Sequence, residues 1–160
     1  MLIAMGDFGS FYLRHRKELF HYLLRMTGDA ALSEDLLQES FTRFLDRYGR
    51  EDPTLPLLFT IARNALFDHW RKRRPLPSGD WSGETGGENP EEGVIVREEA
   101  RAVLRALGTL PEDERDLLSL AVTGGLSYRE IAAVSGLSEG NVKVRIHRAR
   151  RKLRDLLREE

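Results

Sequence analysis

The stretch Ser78 to Pro90 divides this chain, being rich in Gly and Glu with little apolar content beyond Trp81, while helical periodicity flanks it on both sides. Such a segment cannot bury enough surface to offset the entropy of ordering it, so it reads as a flexible linker. The expected organisation is therefore a unit over residues 1–75, an acidic linker over 76–93 and a second unit over 94–160. A length of 160 residues accommodates this, since domains run upwards of about 50 residues.

Before the linker the apolar spacing is that of helices. Phe8, Phe11, Tyr12, His15, Leu19, Tyr22, Leu23 and Met26 recur at three and four, and Thr27-Gly28-Asp29 closes that segment. Asp29 is placed to cap a second helix, whose buried stripe is expected to be Leu32, Leu36, Phe41, Phe44, Leu45 and Tyr48, ending at Gly49. Pro53 and Pro56 mark Arg50 to Pro56 as a loop, and a third helix is expected from about Leu57 to Arg74. Pro75-Leu76-Pro77 stops it. No strand pattern or internal repeat appears, and the fold class expected is all-α.

After the linker, helical period resumes over Val94 to Leu107, and Pro111 suits the first turn of a helix running to about Val122. From Ser127 a short helix with Ile131, Ala132 and Val134 inward precedes Ser135-Gly136-Leu137, and Ser138 caps a long helix. That is the grammar of a helix-turn-helix, with Gly136 free to take a positive φ at the turn. At about 100° per residue, Val142, Ile146, Ala149, Leu153, Leu156 and Leu157 form a core-facing stripe. The other side presents Asn141, Val144, His147, Arg148 and Arg151, flanked by Lys143, Arg145, Lys152 and Arg154.

The formal net charge of −1 by itself argues against a nucleic-acid binder. The charge is segregated, however: basic residues crowd Arg71 to Arg74 and Lys143 to Arg154, acids Asp80 to Glu99. No acid interrupts Asn141 to Arg154, as the alternating pairs of a solvated helix would require. Arginine offers two parallel bonds to guanine, and flanking cations neutralise phosphates, so this helix suits a major groove. The helix 57–74 has Leu58, Ile61, Ala62, Ala65, Leu66 and His69 on one side and Thr60, Arg63, Asn64, Phe67, Arg71 and Arg74 on the other. A ring among cations is what an unpaired strand needs for stacking and phosphate tracking. The competing reading packs Phe67 against the first helix or a neighbouring domain, and Trp70 reads as core.

Other chemistries find no support. The chain has no Cys, which excludes disulfides and thiolate zinc sites and is compatible with a reducing cytosol. His15 and His21 lie on different helix faces, no zinc-binding histidine spacing occurs, and His15 and His69 read as packing or hydrogen-bonding residues. No catalytic constellation or phosphate loop is present, so neither enzyme activity nor a cofactor is expected. No apolar run approaches the roughly 18 residues of a membrane span, and Met1 to Met5 is too short for a signal peptide, so a cytoplasmic protein is expected.

Two groups of motifs carry a resemblance. Asp35-Leu36-Leu37-Gln38-Glu39-Ser40-Phe41, with Ile61-Ala62-Arg63-Asn64, Asp68 and Arg71 to Arg74, resembles the second conserved region of extracytoplasmic-function sigma factors. Leu110-Pro111, Leu126 to Ala132 and Glu139 to Arg150 resemble the fourth. The resemblance covers nearly everything outside the linker. It implies a promoter-specificity subunit of RNA polymerase, in which Asp35, Gln38, Glu39 and Thr42 dock on the clamp of the largest subunit and the second unit engages the flap of the second largest. It also implies that Arg63, Asn64, Phe67, Arg71 and Arg74 hold the minus-ten strand, with one base flipped into a pocket for which Arg50 to Leu55 is the candidate loop.

The minus-thirty-five site implied is Ser127, Tyr128, Arg129, Asn141, Lys143, Val144, Arg145, His147, Arg148 and Arg151, with Lys143, Val144, His147 and Arg148 facing bases. An anti-sigma factor is the expected regulatory partner. The acidic linker matches in position the segment that threads the polymerase toward the RNA exit. This chain departs from the pattern at Leu57, where tryptophan is usual, and at Asn141 and Val144, where threonine and serine are commoner. Val144 offers a base only an apolar contact. Two alternatives share the helix-turn-helix: a response-regulator type factor, which requires alternating strands and helices in the front half, and a dimeric repressor, which requires symmetric half-sites.

Overall fold

Every regular element among the described residues is an α-helix, as the three-and-four apolar spacing requires. The computed structural model describes residues 2–47, 54–73, 94–123 and 125–158, with side chains from Phe8 in the first segment and from Glu98 in the third. The acidic linker, the candidate loop residues 50–53 and Arg74 lie outside the described residues. In chain order the helices are α1 (Leu2–Thr27), α2 (Ala30–Arg47), α3 (Leu55–Lys72), α4 (Val94–Thr109), α5 (Glu112–Val122), α6 (Tyr128–Ser135) and α7 (Glu139–Arg158).

Helix ends follow local chemistry, with three departures from expectation. α1 begins at Leu2 rather than Phe8, because Leu, Ala and Met favour helix and no proline interrupts them. α3 begins at Leu55 and includes Pro56; Thr54 caps it, its side chain accepting from the Leu57 amide at 3.3 Å. Proline is tolerated there because first-turn amides have no intrahelical acceptor. Pro111 stands one position outside α5 as its N-cap, and Glu112, Asp113 and Glu114 fill the first turn, where the helix dipole favours acids. The α1–α2 corner is as expected: Gly28 takes φ 68°, and Asp29 Oδ1 accepts from the Leu32 amide at 3.1 Å.

α1 and α2 meet through rings, Phe11 stacking on Phe44 at 5.0 Å and Tyr12 standing edge-on to Phe41 at 4.5 Å. Such pairs contribute about 0.5–1.5 kcal/mol each beyond their area. The α2 stripe runs through Leu36, Leu37, Phe41 and Phe44, whereas Leu45 is 44% exposed, one residue and so about 100° beyond Phe44. Leu157 is likewise 36% exposed, rotated off a stripe that ends at the half-buried Leu156. Ser33 and Ser40 are buried at no polar cost, their hydroxyls donating to Asp29 O at 2.7 Å and Leu36 O at 2.6 Å.

The apolar core does not stop at the linker. One continuous cluster joins α1–α3 to Leu117 and Leu120 of α5, Ile131 and Val134 of α6, and Val142 and Ile146 of α7. A smaller one joins Leu24 of α1 to Leu104 and Leu107 of α4, Leu118 of α5 and Ala149 of α7. Among the described residues no helix is long and apolar enough to cross a membrane.

Candidate nucleic-acid interface

The helix-turn-helix is set by three local devices. Ser127 accepts from the Glu130 amide at 3.1 Å while Glu130 Oε1 accepts from the Ser127 amide at 2.9 Å, a reciprocal capping box worth about 1 kcal/mol. Gly136 closes α6 at φ 76°, its amide donating to Ala132 O at 2.9 Å. Ser138 caps α7 by accepting from the Asn141 amide at 3.2 Å. The angle between the helices is then held by Ile131, Val134, Val142 and Ile146, all buried. Ser127 thus has a structural duty at its hydroxyl, Tyr128 is half-buried against the core, and Arg129 is exposed.

With Val142, Ile146 and Ala149 inward, α7 turns Asn141, Lys143, Val144, His147, Arg148 and Arg151 to solvent. Val144 is 49% exposed, an apolar contact point among polar groups. His147, Arg148 and Arg151 have no ion-pair partner among the described residues. Not every cation of the helix is free: Arg145 Nη1 donates to Asp113 Oδ2 at 2.9 Å, and Lys152 Nζ to Glu114 Oε1 at 2.7 Å. Lys143 lies 3.5 Å from Glu139. The acids missing between positions 141 and 154 are supplied by α5 and by the first turn of α7 itself, a pairing invisible to a search along one helix.

On α3, Asn64 and Arg71 are exposed, but Arg63 and Phe67 are engaged. Arg63 Nε lies 2.7 Å from Asp116 Oδ2, and its guanidinium sits 4.5 Å over the Phe67 ring. Phe67 is half-buried, 5.6 Å from Trp70, and both pack on the core cluster. It is therefore not the fully presented ring that helical geometry placed opposite the apolar stripe. The cause is tertiary: α3 has neighbours on more than one side.

A cleft of about 470 Å³ opens between α2 and α3, lined by Arg43, Asp46, Arg47, Ile61, Asn64, Asp68 and Arg71. Arg43 bridges it, donating to Glu39 at 2.9 Å and Asp68 at 3.3 Å, and Asp68 also pairs with Arg71. The hydrogen bond from Arg43, followed by the charge of Arg71, holds the Asp68 carboxyl below its ordinary value. Arg43, Asp46 and Arg47 belong to a different helix from the strand-binding set; the available signal was that Arg43 and Asp46 stand four residues after Glu39 and Thr42, and Arg47 four after Arg43. Asp35, Gln38, Glu39 and Thr42 form an exposed polar face of α2. Among the described residues no group of three or more His, Cys, Asp or Glu could hold a metal ion.

A braced helix-turn-helix with a free cationic face, set in a chain whose front half bears its own arginine-lined cleft, defines a DNA-binding protein of transcription. Residues 11–75 match the family described as Sigma-70 region 2, and residues 100–153 that described as Sigma-70, region 4. The chain is 34% identical over 163 residues to the RNA polymerase sigma factor CarQ of Myxococcus xanthus, covering 98% of this chain and 92% of the relative. It is 35% identical over 155 residues to the ECF RNA polymerase sigma factor SigL of Mycobacterium tuberculosis, covering 92% and 87%. The solved sigma factor RpoE of Bartonella quintana, in complex with the anti-sigma factor NepR, is similar with a TM-score of 0.78 and 25% identity over 95% of this chain and 97% of that one.

The chain belongs to the extracytoplasmic-function (ECF) group of RNA polymerase sigma factors. Its function is to bind core RNA polymerase and direct transcription initiation at selected promoters, the work of a regulatory protein. The response-regulator alternative fails on the front half, where α1–α3 replace the alternating strands a receiver needs.

Proposed function

We propose a division of labour along this chain: a unit over residues 1–75 that binds polymerase and melts the minus-ten element, a connecting linker over 76–93, and a unit over 94–160 that reads the minus-thirty-five element as duplex. Lys143, Val144, His147 and Arg148 face base edges, Asn141 and Arg151 flank them, and Arg145 braces the helix while reaching the backbone. Ser127 and Tyr128 set the approach of α6, and Arg129 meets phosphate. Asn64, Arg71 and Arg74, with Arg63 and Phe67 once released, hold the minus-ten strand along the α2–α3 cleft. Asp35, Gln38, Glu39 and Thr42 dock on the clamp, and the second unit meets the flap. The protein works in the cytoplasm, catalyses no reaction itself, and is held in check by an anti-sigma factor, as RpoE is found with NepR.

One observation carries this reading: α7 presents six polar, cationic or apolar contact residues on one face while its opposite face is locked in the core. The test is reconstitution. Purified chain is mixed with core RNA polymerase and a randomised promoter library, and transcript starts are sequenced. Selected starts sharing paired upstream elements are expected. Binding to symmetric duplex half-sites without any association with polymerase would overturn the proposal in favour of a dimeric repressor.

A further inference from the structure

Within the apolar contact between the two halves of the chain lies one buried carboxylate. Asp116 of α5 is 2% exposed and accepts from two residues of the front half: Tyr22 Oη at 2.6 Å and Arg63 Nε at 2.7 Å. The partners are 94 and 53 positions away in sequence. Around it, Arg25 Nη2 donates to Ser119 O at 3.2 Å and Arg115 Nη1 to Met26 O at 2.8 Å, so five charged or hydroxylic groups converge on one seam. The approach is close elsewhere too, since a Cβ added at Gly125 would run into the side chain of Leu55.

This polar seam is set into an apolar contact, since the buried cluster runs unbroken from α1–α3 to α5, α6 and α7. A buried ion pair contributes little net stability over apolar packing, because each charge must leave water, yet it is strongly selective for the one geometry that pairs it. The seam also leaves the buried Nε of Arg25 and Oγ of Ser119 without hydrogen-bond partners. Such groups regain water on opening, which favours separation. The chemistry is that of a contact made to be broken.

We infer that Asp116 latches a closed form of this sigma factor in which α5 of the second half occupies Arg63 and withholds it from the minus-ten strand. The inference rests on the strand-binding role proposed above for Arg63. The centres of the minus-ten and minus-thirty-five elements are about 25 base pairs apart, or about 80 Å of duplex, whereas a compact chain of this length is only about 40 Å across. Closed, the protein cannot grip both elements. In contrast, the α7 face stays exposed in the closed form, so duplex reading is not what the latch controls.

The test compares the full chain with Asp116→Asn, which keeps an acceptor for Tyr22 but removes the charge from Arg63, and with Tyr22→Phe, which keeps the ring against Phe59 but removes the donor. Circular dichroism first establishes that each variant is folded. Small-angle X-ray scattering then reads the radius of gyration, and anisotropy reads binding of a dye-labelled random-sequence single-stranded DNA and of a duplex of the same length. A population held closed lowers apparent strand affinity by the fraction open, so a tenfold rise in that fraction appears as an affinity gain of about tenfold.

Expected are a larger radius and a strand-affinity gain of about tenfold for Asp116→Asn, a smaller gain for Tyr22→Phe, and unchanged duplex binding. An unaltered radius in both folded variants would overturn the latch. Expansion with no gain in strand affinity would instead overturn the strand-binding role of Arg63, a different failure read on a different instrument. Arg63→Ala separates them again, since it should open the chain without raising strand affinity.

Discussion

Arg145 Nη1 of the recognition helix lies 2.9 Å from Oδ2 of Asp113, 32 positions earlier, at the first turn of α5. Three positions on, Arg148 points to solvent with no partner among the described residues. Two arginines of one helix thus have different duties. Arg148→Ala should weaken duplex binding by roughly 1–3 kcal/mol and relax preference at one base pair. Arg145→Ala should lower affinity similarly for all sequences, leaving the preference intact, because a half-exposed brace orients α7 without reading it. Selection from a randomised duplex pool distinguishes the two, and unchanged sequence preference in Arg148→Ala would reassign that residue to phosphate.

Phe67 is tied to Trp70 and to the Arg63 guanidinium, so its removal confounds stacking on a base with packing. Phe67→Leu separates them, keeping apolar volume while losing the aromatic face. Permanganate reactivity of the minus-ten region in the reconstituted complex should fall in this variant, with stacking worth about 1–3 kcal/mol per base, while minus-thirty-five binding stays normal. Full strand opening by Phe67→Leu would return Phe67 to a packing role.

Gly136 holds φ 76° at the turn of the helix-turn-helix. Because L residues with a Cβ disfavour this region, Gly136→Ala should lower stability by about 1–2 kcal/mol. Ser127→Ala should cost about 0.5–2 kcal/mol through the lost cap. Urea unfolding measures both. A Gly136→Ala variant as stable as the parent would mean that the turn relaxes to another geometry.

Burial first, then the neighbouring Asp116 charge, push the Tyr22 phenol well above its ordinary value of 10. The folded value being raised, this group's contribution is complete below the unfolded value and is lost as pH rises through the folded one. Alkaline conditions should therefore weaken the seam, and Tyr22→Phe should flatten that limb. Thermal melts of parent and variant from about pH 9 to 12, spanning the unfolded value, check this; identical slopes above about pH 10 would exclude Tyr22 as the titrating group.

Much of this molecule was legible from short stretches of chain. Asp29 and Ser138 as caps, Gly136 as the left-handed turn, and the buried rows through Leu36, Phe41, Val142 and Ile146 all follow from bonds and periodicities spanning a few residues. The departures have the same scale: Pro56 entered a first turn that had no need of its amide, and Leu45 fell just off the stripe. The exposed face of α7 was equally readable, because a helix with one side buried leaves the other side free.

Tertiary structure alone decided which cations on these faces are free. Arg145, Lys152 and Arg63 are indistinguishable from Arg148 in a linear reading, yet each is claimed by an acid 32, 38 or 53 positions away. Asp116 shows the reason most clearly: lying among Leu117, Leu118 and Leu120, it looks like an ordinary polar residue of an amphipathic helix. Only the approach of α1 and α3 takes it out of water and gives it Tyr22 and Arg63. Helix, cap and face are local consequences of covalent geometry, whereas the pairing of charges across a fold depends on which surfaces come together.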